Sequence, residues 1–219
     1  MKLDSHDKRN FFVTATGTNI GKTYTTLRLM ELFAKKGYKV GAFKPIETGV
    51  KNYPEDGLKL LEKSKELNKE FKNITLDDVV PVRYALPAAP IVAKGDQKID
   101  FKLIKSSFEK LKKSCDILFI EGAGGLMVPI EDDFYMIDLI NYFNAKAVLV
   151  TGDKLGCINE TLLSISKLNQ KSLSFKWCVN IKDQNSDFYD TTLPYYKRAF
   201  KKVYLLPSDL ETFGTNLLQ

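Results

Sequence analysis

A single histidine, His6, occurs among the 219 residues, and it stands in a polar amino-terminal stretch. Ser/His/Asp catalysis, Cys/His catalysis and histidine metal centres are thereby left without their central residue. Cysteine is scarce: Cys115, Cys157 and Cys178 are far apart, odd in number and free of CxxC spacing, so neither a disulfide framework nor a zinc site is suggested. No apolar run approaches bilayer-spanning length, and Met1 to Asn10 has no signal-peptide core. A cytoplasmic location, no membrane partner and a mobile terminus over residues 1–9 are therefore expected. Low-complexity linkers and internal repeats are missing too, which with 44% hydrophobic content predicts one domain over 1–219. Chemistry must run on lysine, carboxylate, hydroxyl and backbone N–H groups.

The formal charge of +6 is spread rather than massed, with lysines and acids interleaved as in Glu62-Lys63-Ser64-Lys65-Glu66. That pattern describes solvated helix faces better than a nucleic-acid stripe, so no nucleic-acid partner is expected. A small polyanion such as a nucleotide suits a basic protein.

Apolar runs alternate with amphipathic segments along the whole chain. Strands are expected at 11–15, 38–43, 117–121, 146–151, 175–180 and 202–206, and helices at 24–36, 56–70, 100–113, 134–143, 157–169 and 189–199. This alternation predicts an α/β fold, a mostly parallel sheet flanked by helices. Pro81, Pro87 and Pro90 mark a shaped loop leading into a short helix. The unusual glycine and polar residues follow strand ends: Ala15 to Thr23, Lys44 to Gly49, Glu121 to Gly125, Gly152 to Cys157, then Asn180 and Pro207. In a parallel sheet those ends share one edge, where ligands bind.

Phe11 to Thr23 reads as a strand, a phosphate-binding loop and a helix beginning near Tyr24. Successive backbone N–H groups and a helix N-terminus surround anionic oxygens, Gly21 permits close approach, Lys22 reaches the β/γ-phosphates, and the Thr23 hydroxyl suits Mg²⁺. The usual motif spacing places glycine where this chain has Thr16, and the glycine arrives one residue late at Gly17. A three-layer architecture of the phosphate-loop NTPase type follows.

Lys44 ends the second strand opposite that loop, where a second ammonium would stabilise charge on a transferring phosphoryl group. Thr48 and Gly49 add a hydroxyl and a permissive backbone suited to a polar substrate atom. Glu121 follows an apolar strand, the position from which an acid binds Mg²⁺ directly or through water; the alternative is a carboxylate satisfied by glycine-loop N–H groups. Asp56 at a helix start reads by itself as a cap or dipole partner more than as a metal ligand.

Taken together these blocks resemble the dethiobiotin synthetase family: Phe-Val-Thr-x-Thr-x-Thr-x-x-Gly-Lys-Thr at 12–23, Lys-Pro-x-x-Thr-Gly at 44–49, Glu-Gly-Ala-Gly-Gly at 121–125, Lys-Leu-Gly-Cys-Ile-Asn at 154–159, and the strand-end Pro207. The resemblance implies ATP, or another nucleoside triphosphate, and Mg²⁺ acting on diaminopelargonic acid and CO₂ or bicarbonate. An amine becomes a carbamate, the carbamate is phosphorylated, and the second amine displaces phosphate to close a ureido ring.

It further implies that Lys22, Lys44 and Thr18 are catalytic and that Thr23, Asp56 and Glu121 hold Mg²⁺. Thr48 orients the reacting groups, and Gly122, Ala123, Gly124 and Gly125 offer backbone N–H groups to substrate. The family forms homodimers with substrate near the interface, so Leu155, Gly156, Cys157 and Asn159 would meet the substrate tail held by the neighbouring subunit, Cys157 as a packing residue. Nucleotide would lie against Asn19, Ile20, Gly21, Lys22, Thr23 and Tyr24, with Asp56, Glu121, Asn180, Pro207, Ser208 and Asp209 completing its site.

Two departures stand out. Ala15 replaces a glycine common at the loop start. The Asn-Asp pair usual after strand five is here Asn180-Ile181-Lys182-Asp183, which leaves few determinants of adenine and predicts relaxed nucleotide choice. Rival readings are a partition or cell-division switch ATPase, whose signature lysine would stand where this chain has Gly17, and a cobyrinic-acid amidoligase, which needs a glutaminase domain absent from these residues.

Overall fold

Phe11, Phe12 and Val13 are buried on both sides of their strand, as a near-continuous apolar run at the middle of a parallel sheet requires. The computed structural model describes residues 9–183 and 187–219. The first half comprises β1 (Arg9–Ala15), α1 (Lys22–Lys35), β2 (Val40–Phe43), β3 (Ile46–Thr48), α2 (Glu55–Leu67), α3 (Leu76–Val79), β4 (Val82–Tyr84), α4 (Pro90–Ala93) and α5 (Phe101–Lys113). The second comprises β5 (Ile117–Gly125), β6 (Pro129–Glu131), β7 (Phe134–Tyr135), α6 (Asp138–Tyr142), β8 (Lys146–Thr151), α7 (Cys157–Gln170), β9 (Phe175–Asn180), α8 (Phe188–Thr191), α9 (Leu193–Ala199), β10 (Leu205–Leu206) and α10 (Leu210–Leu217).

The main sheet runs β10-β9-β8-β1-β5-β2, all parallel. The chain crosses from β1 past β5 to β2, returns to β5, and then passes to the other side of β1, so strand order reverses around β1. The expected α/β architecture is met. Alternation in the pleat separates two helical layers. Phe11 and Phe119 face Phe33 of α1, with ring centroids 6.2 and 5.9 Å from it. Phe43, one residue out of phase, faces Phe108 of α5 at 6.3 Å and Phe143 at 5.8 Å. Leu29, Met30 and Phe33 form the buried stripe of α1, and Ile104, Phe108 and Leu111 that of α5. Truncating a buried ring such as Phe33 to alanine costs about 3–5 kcal/mol.

Several boundaries differ from the sequence expectation. Arg9, expected in the mobile terminus, is the first residue of β1 and pairs with Ile117; residues 1–8, His6 among them, lie outside the described residues. The helix expected over 134–143 is α6 alone, because Phe134 and Tyr135 pair with Pro129–Glu131 as an antiparallel hairpin. The helix expected over 189–199 breaks at Thr192, whose φ of −120° is not helical and which precedes Leu193 and the Pro194 of the next first turn. The helix expected to 70 ends at Leu67, where Asn68 turns extended and caps a 3₁₀ turn at Lys69–Phe71. The strand at 202–206 is only Leu205–Leu206, and β5 runs on to Gly125, so the glycine block is strand and not loop. β3, β4, α3 and α10 are additional. The short helix after the proline loop is α4, opened by Pro90.

Beneath the α7 N-terminus a buried hydroxyl chain links three elements. Tyr196 Oη donates to the Cys157 carbonyl at 3.0 Å and shares a hydrogen bond with Thr161 Oγ1 at 2.9 Å, and Thr161 Oγ1 meets Thr151 Oγ1 at 2.5 Å.

Candidate active site

β1 delivers the chain into a turn in which Asn19 takes a φ of 59° and Gly21 a φ of 112°, and α1 starts at Lys22. Gly21 is required twice over: its conformation is left-handed, and a Cβ there would stand 2.1 Å from Asn180 Nδ2. That amide in turn donates to the Ile20 carbonyl at 2.8 Å, tying the end of β9 to the loop. No side chain caps α1, and its first turn contains no acid, so its N–H groups are left for an anion. The Lys22 ammonium folds back on the Gly17 carbonyl at 2.9 Å. Burial, then the nearby Lys44, hold Lys22 down at about 8 against the pull of Glu121 and Asp56.

Glu121 anchors the site. Its carboxylate, on the strand between β1 and β2, is fully buried and accepts from Thr23 Oγ1 at 2.9 Å, Thr26 Oγ1 at 3.1 Å and Lys44 Nζ at 2.7 Å. Thr23 and Thr26 reach it together because a spacing of three puts them on one face of α1. Lys44 also donates to the Gly122 carbonyl at 3.2 Å and lies 3.4 Å from Asp56 Oδ2. Burial alone would lower the Lys44 ammonium; Glu121 and Asp56 outweigh it and raise it above its ordinary value. Burial likewise pushes Asp56 up, but Lys44 and the Thr23 hydroxyl leave it below the usual carboxylate range. The glycine-loop alternative for Glu121 is not what is found: its partners are two hydroxyls and an ammonium.

Lys22, Thr23, Lys44 and Asp56 border a cavity of about 660 Å³, lined from the expected set also by Thr18, Asn19, Gly21, Tyr24, Thr48, Ala123 and Gly124, whereas Glu121 is fully buried behind Thr23 and Lys44 and lines no part of it. The cavity is also lined by Glu47, Pro87, Ala88, Ala89, Pro90, Val128 and Lys182, which sequence reasoning did not assign to a site. The proline loop thus has a place as a cavity wall. Lys182 was visible only as a departure from a family pattern; its ammonium meets the Asn19 carbonyl.

Other expected residues stand apart from the cavity lining. Ile20 and Asn180 bond each other behind the loop. Gly122 and Gly125 lie in β5, and the Ala123 N–H points at Met136 Sδ, 3.4 Å away. Asp209 spends one oxygen on the Leu205 N–H at 2.8 Å, and Pro207 and Ser208 line no part of the cavity. Leu155, Gly156, Cys157 and Asn159 also lie off it; Cys157 is buried, whereas Leu155 is 97% exposed.

A family model described as "AAA domain" matches residues 9–203. The chain is similar to the ATP-dependent dethiobiotin synthetase BioD of Sulfurovum sp. strain NBC37-1, with 43% identity over 95% of this chain and 99% of that protein. It is similar also to the protein of the same name from Wolinella succinogenes, with 37% identity over 94% of this chain and 97% of the other. Among solved structures it resembles a plasmid partition protein from Borrelia burgdorferi, with a TM-score of 0.59 and 13% identity over 97% and 96% of the two chains. That likeness speaks for the fold alone.

Proposed function

The chain belongs to the dethiobiotin synthetase family and is an ATP-dependent ligase forming dethiobiotin, and we propose that the cavity beside Lys22 and Lys44 is where CO₂, diaminopelargonic acid and a nucleoside triphosphate react. The observation that carries this assignment is the convergence of Lys22, Thr23, Lys44, Asp56 and Glu121, which come from α1, α2, the end of β2 and the middle of β5.

One neutral amine of the substrate attacks CO₂ and loses a proton, giving a carbamate. A carbamate oxygen then attacks the γ-phosphorus and ADP leaves. The second amine attacks the carbamoyl carbon and expels phosphate, closing the ring and releasing a proton. Histidine is not needed, because each step depends on positioning and on stabilised negative charge. Lys22 faces the phosphates from the loop, and Lys44 faces the carbamate and the transferring group from the β2 end. Thr18 and Thr48 present hydroxyls along the same wall, orienting the reacting groups. Of the strand-borne N–H groups of Gly122 to Gly125, that of Gly124, which lines the cavity, remains the chief candidate for substrate contact, since the Ala123 N–H is turned to Met136 Sδ.

The donor set fits Mg²⁺. Thr23 supplies a hydroxyl, and Asp56 and Glu121 supply carboxylates, all hard oxygens, and a cation already sits between the two acids in the form of the Lys44 ammonium. When bound, the ion neutralises charge on the phosphates.

The 97% exposed Leu155, at the mouth of α7, supports a homodimer in which this turn meets the substrate tail of the neighbouring subunit. No helix among the described residues is long and apolar enough to cross a membrane. One cluster of buried side chains extends from Phe11 to Leu217, in keeping with a single domain.

The decisive experiment incubates the protein with diaminopelargonate, bicarbonate, Mg²⁺ and ATP and looks for dethiobiotin by mass. Formation of the product with one ADP per ring supports the assignment; ATP hydrolysis without it overturns the assignment.

A further inference from the structure

We propose that Glu47 is a positioning residue for the metal–nucleotide site: from β3 its carboxylate grips the first turn of α2 and so sets where Asp56 stands. The inference rests on the reading of Asp56 as a metal ligand given above.

Helix α2 begins at Glu55 behind Pro54, which makes no side-chain cap. Its first N–H groups would be unsatisfied. Glu47, buried in the cavity wall, supplies what is missing from outside the helix: Oε1 accepts from the Asp56 N–H at 3.1 Å and Oε2 from the Gly57 N–H at 2.9 Å. The grip is close, since a Cβ on Gly57 would lie 2.0 Å from Val80 Cγ2 on one side and 3.2 Å from Glu47 Oε2 on the other. Glu47 is itself held where β3 pairs with β4 opposite Arg83.

The Asp56 side chain has far less to hold it. It is 42% exposed, its contact with Lys44 is long at 3.4 Å, and the Thr23 hydroxyl that also reaches it is shared with Glu121. Its position is therefore inherited from the backbone of the turn, and through that backbone from Glu47. Both Glu47 oxygens are engaged by N–H groups, so the residue shapes the site without needing to touch a ligand.

The test uses the full chain carrying Glu47→Ala, Glu47→Gln or Asp56→Asn. Mn²⁺ affinity in the presence of ADP is read by electron paramagnetic resonance, the Mg²⁺ requirement and kcat by product formation, and amide exchange by mass spectrometry over residues 54–60. Glu47→Ala is expected to weaken Mn²⁺ binding and raise the Mg²⁺ requirement about tenfold, with a smaller loss in kcat at saturating Mg²⁺. Exchange at Asp56 and Gly57 accelerates, and Glu47→Gln, which keeps one acceptor, falls between; it also decides the matter should the alanine variant not fold. If Asp56→Asn weakens Mn²⁺ binding while the Glu47 variants stay within about twofold of the parent, the inference is overturned and the metal reading stands. If Asp56→Asn leaves Mn²⁺ affinity unchanged, the metal reading falls and takes the inference with it.

Discussion

Lys44 Nζ lies 2.7 Å from Glu121 Oε1, with the lysine side chain 3% exposed and the carboxylate fully buried. A buried pair of this kind is costly to break from one side, because the remaining charge has no water to turn to. Here the pair also occupies the ground where a transferring phosphoryl group and its counter-ion are to be held, so stability and chemistry are linked through the same two residues.

Lys44→Ala is expected to lower kcat by about 100-fold or more while nucleotide affinity changes far less. It also destabilises the fold by about 3 kcal/mol, since Glu121 keeps only its two threonine donors. Urea unfolding of Lys44→Met and of Lys44→Met/Glu121→Gln separates the two effects: the double variant recovers stability but not turnover. Unchanged turnover in Lys44→Ala removes the residue from the catalytic set.

Lys22 gives a pH signature. Its folded-state value is about 8 because of burial and then Lys44, whereas in the unfolded chain a lysine titrates near 10.4. Between those values the unfolded chain binds more protons than the folded one, so this group's contribution to stability grows as pH rises through the window. Nucleotide binding has the opposite slope, because a triphosphate favours the charged lysine. Affinity weakens as pH passes about 8, and calorimetry in two buffers of different ionisation enthalpy detects proton uptake on binding. Lys22→Arg flattens the profile; an equally steep profile in that variant refutes the assignment.

Leu155→Glu is expected to convert a dimeric parent to monomer in sedimentation and to lower turnover while leaving nucleotide binding intact. A parent that sediments as a monomer at assay concentration removes the inter-subunit role given to residues 155–159.

Comparable turnover and apparent affinity are expected with ATP, GTP and CTP. Asn180 has its amide committed to Ile20, and Asp209 has an oxygen committed to Leu205, so neither is free to read a base edge in full. Strict ATP dependence overturns this expectation.

The layered fold was legible because β1, β5 and β8 each contain an unbroken apolar run, at 11–13, 117–120 and 147–150, and the helices between them have three-to-four spacing. Lys22, Lys44 and Glu121 were legible because each follows an apolar run in a recognisable block, Lys22 after the β1 turn, Lys44 directly after β2 and Glu121 directly after Ile117–Ile120. Ile46–Thr48 and Val82–Tyr84 are three residues each, too short for alternation to register. Phe134 and Tyr135 precede Ile137, Ile140 and Phe143 at a spacing that imitates a helix, which hid the hairpin. Glu47 stands at an unspecified position of its block, and its partners are backbone N–H groups nine and ten residues on. No pattern of side-chain types encodes such a bond.

β5 is hydrogen-bonded along both edges, to β1 and to β2, whereas Asp56 belongs to a helix start at the perimeter. Local opening reaches the perimeter at modest cost, but it reaches a strand flanked on both sides only when the whole molecule melts. The carboxylate of Glu121 is thus as durable as the protein itself, while that of Asp56 lasts only as long as one helical turn and the Glu47 grip that holds it.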